Sequence, residues 1–240
     1  FTAFAYVAFG AALASLSIAF FLRRAIVDIA EAKLSAEAKL HDAQIVGEEM
    51  RRKSLSDSLT LLPNRRAFFV ALRQRVRKAL TNTAASDCNS AVWLILVDLD
   101  GFKAVNDVHG HLTGDQLLKQ VAGRLERFSG DTIHVSRMGG DEFNLILTSS
   151  EAEDAILARC EALLKLLARP YVIDGRHIKI SGSIGCKKMD LAETTRSQIS
   201  QADYALMKAK GQGKNRAVLF SLDHARQAEA RGEVEEALRK

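Results

Sequence analysis

The sequence predicts an α+β domain, a single sheet with helices packed on it, and three observations carry that expectation. The run AVWLILVD (91–98) is dense in Val, Leu and Ile and reads as a central strand ending near Asp98. TIHVSRM and EFNLILT flank Gly139 and Gly140, which gives two strands joined by a glycine turn. Segments of helical periodicity separate the strands, in the order helix, strand, helix, hairpin, helix, strand, helix and a final strand.

The elements follow in chain order. The first 22 residues, FTAFAYVAFGAALASLSIAFFL, carry no charge and are long enough to cross a bilayer as a helix. Arg23 and Arg24 come next, and cationic residues at that edge favour retention on the cytoplasmic side, which places everything after Leu22 inside the cell, at the inner (cytoplasmic) membrane. The alternatives are a signal peptide, whose basic region would precede the apolar run instead of following it, or a buried helix of a larger sensor. A chain that opens on Phe is expected to be a piece of a longer protein. Residues 23–56 are expected to form a helical linker. Ile26, Ile29, Ala36, Leu40, Ala43 and Met50 lie close to a heptad seam, which Lys33 and Gly47 interrupt. A coiled coil would make the protein a dimer; a single solvated helix is the alternative.

In DSLTLLPNRRAFFVALRQRVRKAL, Pro63 ends an extended stretch and Asn64 can cap a helix with the apolar face Phe69, Leu72, Val76 and Leu80. After the central strand, DQLLKQVAGRLERF shows Leu118, Val121, Leu125 and Phe128 at helical spacing. SEAEDAILARCEALLKLLARP predicts a second helix, stopped before Pro170. HIKISGSIGCKK (177–188) alternates apolar and polar residues like one half-buried strand, through Ile178, Ile180 and Ile184. TTRSQISQADYALMKAK predicts a helix that buries Ile199, Ala202 and Leu206 and ends at Gly211. A last strand lies near AVLF. Residues 221–240 are highly charged and read as a helical linker into a further domain.

Composition bounds the function. The 240 residues are 48% hydrophobic and 26% charged, as in a folded protein. A net charge of +5 suits an anionic ligand or an inner-leaflet surface and is too small for a nucleic-acid footprint. Cys88, Cys160 and Cys186 are widely spaced and form no CxxC, which excludes a disulfide framework or zinc site of the usual pattern.

The chemistry gathers around the predicted strand ends. Asp98 and Asp100, two apart, would point to one side of a continuing strand, and carboxylates there suit hard cations such as Mg²⁺. Asp141 and Glu142 follow the glycine turn; brought beside Asp98 they would repel one another unless a cation lay between them. The alternative is a solvated hairpin tip with unconnected charges. Lys103 follows a turn whose backbone amides can cradle a phosphate, and KAKGQGKN supplies Lys208, Lys210 and Lys214 around two glycines. Asn106 and Asp115 have the groups to meet a guanine edge, the carboxylate accepting from its N–H groups.

DSLTLLPNRR, DLDGFKAVNDVHGHLTGDQLL, SRMGGDEF, SGSIG and ADYALMKAKGQGKNR occur in the order and spacing of the GGDEF diguanylate cyclase family, which residues 57–220 resemble. The resemblance implies a cyclase or polymerase-palm-like (ferredoxin-like) fold with a mostly antiparallel sheet. It implies one GTP per subunit and a homodimer that condenses two GTP into cyclic di-GMP with release of two pyrophosphates, on Mg²⁺ or Mn²⁺. It also implies the residue roles. Asp98 and Asp141 match the metal-binding carboxylates, assisted by the Leu99 carbonyl, and Glu142 would bind metal or activate the attacking 3′-hydroxyl. Gly101, Phe102 and Lys103 match the phosphate cradle, Asn106 and Asp115 the guanine readers, and Lys210 and Lys214 the grip on the terminal phosphates.

The sequence departs from the family pattern in three places. Lys214 stands where Arg is usual, keeping the charge and losing the bidentate fork. Met207 replaces a common Tyr and reads as a packing position. The inhibitory RxxD pair, nine and six residues before the first turn glycine, is replaced by Gly130 and Ile133, so feedback inhibition by that route is expected to be absent. A different class of function is a GTP-binding regulatory module that controls a following domain; the charged tail after Phe220 resembles the junction that joins such modules to an EAL-type phosphodiesterase.

Overall fold

The computed structural model describes residues 20–24, 33, 54–82, 90–130 and 132–221. The chain divides into two compact units, Phe1–Ser54 and Leu55–Lys240. In the first, residues 20–24 are helical with Phe20, Phe21 and Leu22 exposed. Most of the expected membrane span, the heptad seam, Cys88 and the charged tail lie outside the described residues. Among the described residues no helix is long and apolar enough to cross a membrane.

The second unit runs α1 (Arg65–Asn82), β1 (Ala91–Asp100), α2 (Phe102–His109), α3 (His111–Ser129), β2 (Ile133–Gly139), β3 (Glu142–Ser149), α4 (Glu153–Leu167), β4 (Tyr171–Ile173), β5 (Arg176–Ile178), β6 (Ser181–Lys188), α5 (Thr195–Gly211) and β7 (Ala217–Leu219). Five strands form one sheet in the order β2-β3-β1-β6-β7, antiparallel except for the β6–β7 pair. The expected mostly antiparallel, palm-like sheet with flanking helices is thus present.

β1 is apolar from Ala91 to Val97 because both of its faces are covered there. Trp93, Ile95, Val97 and Leu99 join one core with Leu117, Val121 and Leu125 of α3 and Ile156, Leu163 and Leu167 of α4. Val92, Leu94 and Leu96 join a second core with Phe68 and Leu72 of α1 and Ala202 and Leu206 of α5. Asp98 and Asp100 continue the second face by the two-residue alternation of a strand, so that face is apolar along its length and acidic at its end. α5 crosses β6 so tightly that a Cβ added at Gly185 would lie 2.2 Å from the Ala202 carbonyl and 2.4 Å from the Leu206 amide nitrogen.

Several sequence expectations are met locally. Asn64 caps α1, its Oδ1 accepting from the Ala67 amide at 3.1 Å. Thr194 caps α5, accepting from Ser197. Others are corrected. The fully buried face of α1 is Phe68, Ala71 and Leu72, with the expected Phe69 and Val76 packed half-buried against it; Leu80 alone of the expected face is exposed. The expected strand 177–188 is two elements: Asp174 and Gly175, both at positive φ, turn β4 into β5 as a separate hairpin, and β6 begins only at Ser181. The hairpin is held over α3 by Arg124, whose guanidinium lies 3.5 Å from the Tyr171 ring centroid and donates to the carbonyls of Leu166 and Pro170. Burial, partly offset by that cation, pushes the Tyr171 phenol up to about 12. The short helix α2 and the β4–β5 hairpin have no counterpart in the elements expected from sequence.

Candidate active site

The site is built where β1 stops. Gly101, with φ 81°, turns the chain directly into α2, and no side chain caps that helix. The first intrahelical bond is from the Val105 amide to the Gly101 carbonyl at 3.3 Å. The amides of Phe102, Lys103 and Ala104 are therefore the helix-terminal donors, at the end where the dipole favours an anion. Phe102 is buried in the core and anchors this turn, while the Lys103 side chain is exposed.

The carboxylates reach the same place along neighbouring strands. Asp98 and Glu142 are direct cross-strand partners of β1 and β3, so both side chains lie on one face of the sheet. Asp141 precedes Glu142 in the turn, and its carbonyl accepts from the Leu99 amide at 3.3 Å. Glycine is needed at the turn itself, where Gly139 and Gly140 have φ of 139° and 55°. The Gly140 carbonyl accepts from Arg137 Nε at 3.0 Å and Nη2 at 2.7 Å. Arg137 Nη1 in turn pairs with Asp57 Oδ1 at 2.9 Å, and the Arg137 amide donates to the Pro63 carbonyl. Burial opposes ionisation of Asp57, but hydrogen bonds from Thr60 and then from Arg137 outweigh it and hold the carboxyl below its ordinary value.

Asp98 is the electrostatic centre. Burial raises its pKa most, Lys210 pulls it back, and Asp141 and Asp100 push it up further. Lys210 Nζ lies 2.7 Å from Asp98 Oδ2, so the carboxylate is matched by a cation from α5. Asp100, which alternation places on the same side, does different work. Its oxygens accept from Ser181 Oγ at 2.9 Å, Ser183 Oγ at 2.8 Å and the Asn215 amide at 3.1 Å. It is therefore no second cation ligand beside Asp98; it ties the ends of β1 and β6 to the loop that follows α5. That loop carries Lys214, exposed and at φ 62°, with its amide bonded to the Ala209 carbonyl.

Asn106 on α2 and Asp115 on α3 sit on two helices that pack together. Asp115 is exposed; Asn106 is half-buried, and its Oδ1 is buried with no hydrogen-bond partner among the described residues. A buried acceptor without a partner is a group that a ligand or an ordered water could satisfy.

The donor set fits a hard divalent cation: Asp98, Asp141, whose charge is felt at Asp98, Glu142, opposite Asp98 in the sheet, and the Leu99 carbonyl offer oxygen. Among the described residues no three acidic, histidine or cysteine side chains cluster as a closed metal site. An open set of this kind suits Mg²⁺, which takes one or two carboxylates and lets substrate phosphates complete its shell. Met207 is 63% exposed, which removes the packing role read for it. Arg137 and Asp57 carried no role in the sequence reading; both stand inside quoted motifs, and their pairing across 80 residues is a property of the fold.

Comparison with known proteins identifies the family. Residues 54–216 match the family model described as diguanylate cyclase, GGDEF domain. The bifunctional diguanylate cyclase/cyclic di-GMP phosphodiesterase MucR of Pseudomonas aeruginosa is 36% identical over 193 residues, 79% of this chain and 27% of that protein. Diguanylate cyclase DgcN of Escherichia coli K12 is 32% identical over 171 residues, 70% of this chain and 40% of that protein. The chain thus spans under half the length of these curated relatives. The crystal structure of the coiled coil and GGDEF domain of DgcB from Caulobacter crescentus, in complex with c-di-GMP, superposes with a TM-score of 0.71 at 28% identity, covering 79% of this chain and 98% of that one. Fold, site geometry and the match over residues 54–216 together place the chain in the GGDEF diguanylate cyclase domain family.

Proposed function

We propose that the chain is a diguanylate cyclase that condenses two GTP into cyclic di-GMP and releases two pyrophosphates, each subunit of a homodimer holding one nucleotide. The observation that carries this is the meeting, at one end of the sheet, of the Asp98–Glu142 pair, the amide-lined start of α2 and the Lys210 ammonium. Carboxylates for a cation, amides for a phosphate and a nearby positive charge are what nucleotidyl transfer requires.

The residues divide the work. Asp98, Glu142 and the Leu99 carbonyl, with Asp141 beside them, would hold Mg²⁺ or Mn²⁺. Such a cation, when bound, neutralises charge on the α-phosphate and lowers the pKa of the attacking 3′-hydroxyl. Glu142 accepts that proton. The amides of Phe102 and Lys103, turned by Gly101, orient the phosphates, and Lys210 and Lys214 neutralise the leaving pyrophosphate. Asn106 and Asp115 select guanine. One subunit supplies one nucleotide, so two sites must face each other, and holding them so converts a slow encounter into an oriented one. The uncharged first 22 residues and Arg23–Arg24 support anchoring at the inner membrane with this domain on the cytoplasmic side. A relative such as MucR, a bifunctional diguanylate cyclase/cyclic di-GMP phosphodiesterase, supports the reading that a full-length protein carries a phosphodiesterase domain, expected to be of EAL type, after this one.

The test is to incubate the chain with GTP and Mg²⁺ and separate the nucleotides by chromatography. Cyclic di-GMP with matching pyrophosphate is expected. Asp141→Ala should abolish turnover with its circular dichroism melt unchanged; a variant that still turns over sinks the mechanism. GTP bound and never consumed by the dimeric chain would point instead to a regulatory module.

A further inference from the structure

Gly114 is the fourth residue of α3, buried, in a helix interior where glycine is a poor choice. Its φ does not lie in the positive region, so backbone conformation does not require it. Space does. A Cβ built there would lie 1.9 Å from Asn106 Oδ1, 3.0 Å from Asn106 Cγ and 3.2 Å from Phe102 Cζ. All three atoms belong to side chains of α2, and the first two form the carboxamide that faces the base in the proposed reading.

That carboxamide has little else to fix it. Its oxygen has no hydrogen-bond partner among the described residues. The backbone beneath it is pinned, the Asn106 carbonyl accepting from the Gly110 amide at 2.8 Å. The freedom left at Asn106 is rotation of its side chain, and the bare Cα of Gly114 is the surface on which the amide rests.

We propose that Gly114 is a specificity-determining residue: its missing side chain is the seat that sets the Asn106 carboxamide against guanine, and any side chain there unseats it. This rests on the assignment of Asn106 as a base reader. Because the first obstacle is the far end of a flexible side chain and not backbone, a methyl group is accommodated by turning Asn106 aside. The fold persists and base selection is lost. The second contact, with Phe102 of the phosphate turn, is a milder crowding that leaves triphosphate binding in place.

The experiment is equilibrium titration of the whole chain, with Mg²⁺, by the β,γ-imido analogues of GTP and ATP, for wild type, Gly114→Ala, Asn106→Ala and the double variant. The wild type is expected to prefer the guanine nucleotide. Gly114→Ala should lose about tenfold or more of guanine affinity, the scale of an unpaired base contact. Its adenine affinity should hold within about twofold, and its nucleotide-free melting temperature should not fall, alanine being the better helix residue. Asn106→Ala should show the same loss, and the double variant no more than either single one. Retained discrimination in Gly114→Ala, an additive loss in the double variant, or a Gly114→Ala chain that unfolds each overturns the proposal. A wild type indifferent to the base overturns the base-reading assignment itself, a separate failure.

Discussion

Asp57, Arg137 and the Gly140 carbonyl form a short chain of charge-assisted hydrogen bonds, and its strength can be measured apart from catalysis. Breaking a well-satisfied, largely buried pair leaves one partner desolvated and unpaired, at a cost of about 1–3 kcal/mol. Asp57→Asn and Arg137→Met should each destabilise by that order, and a double-mutant cycle by denaturant unfolding should show the losses to be non-additive. The pH dependence has a definite sign. The folded-state pKa of Asp57 lies below its ordinary 3.8, so its contribution is complete above that value and lost as the pH falls through the lowered folded-state value. The stability gap between wild type and Asp57→Asn should therefore be constant near neutrality and narrow below about pH 3.8. A gap that widened in acid would refute the pairing. At this scale the sequence shows chemistry better than partnership. Asp98, Glu142 and the amide turn are legible because motif and strand end coincide. The Asp57–Arg137 pair is not, since nothing local marks two residues that meet only after folding. Asp100 shows the same limit: alternation put it on the correct side, but Ser181 and Ser183 arrive from β6 and take both of its oxygens.

Gly185 carries the clearest consequence at the scale of elements. A Cβ there would meet the Ala202 carbonyl and the Leu206 amide nitrogen, backbone atoms of α5 that cannot step aside. Gly185→Ala is expected to push α5 off β6 and cost about 2–4 kcal/mol, an overpacking effect at its upper range, lowering the denaturant midpoint. It should also cut activity, because α5 carries Lys210. A neutral substitution would mean that the helix slides freely. The central strand, the glycine hairpin and the long helices α1, α3, α4 and α5 were legible because each has many residues in phase. The β4–β5 hairpin and α2 were not. Three-residue strands hold too few positions to show a period, and the Asp174–Gly175 turn was the one signal present. α2 starts from a glycine with no capping side chain, so the usual start marker is missing.

At the scale of the whole molecule, one nucleotide per subunit makes the proposed reaction a meeting of two chains. Specific activity should rise with chain concentration over the range where sedimentation shows dimers forming; a rate per chain that stayed flat across that transition would exclude reaction between facing subunits. With Gly130 and Ile133 at the positions of the missing inhibitory pair, added cyclic di-GMP should not inhibit non-competitively at low concentration. Tight inhibition of that kind would reveal a product site of another construction.

The clamp at Arg137 also has a mechanical meaning. The residue that begins the domain's first turn and the carbonyl of the acidic hairpin are gripped by the same guanidinium, one through Nη1 and the other through Nε and Nη2. The planar guanidinium presents its donors in a fixed fork, so the two contacts are set relative to each other. The first turn of the domain and the hairpin that bears Asp141 and Glu142 therefore share one fastening, and loss of the Arg137 side chain would release both at once.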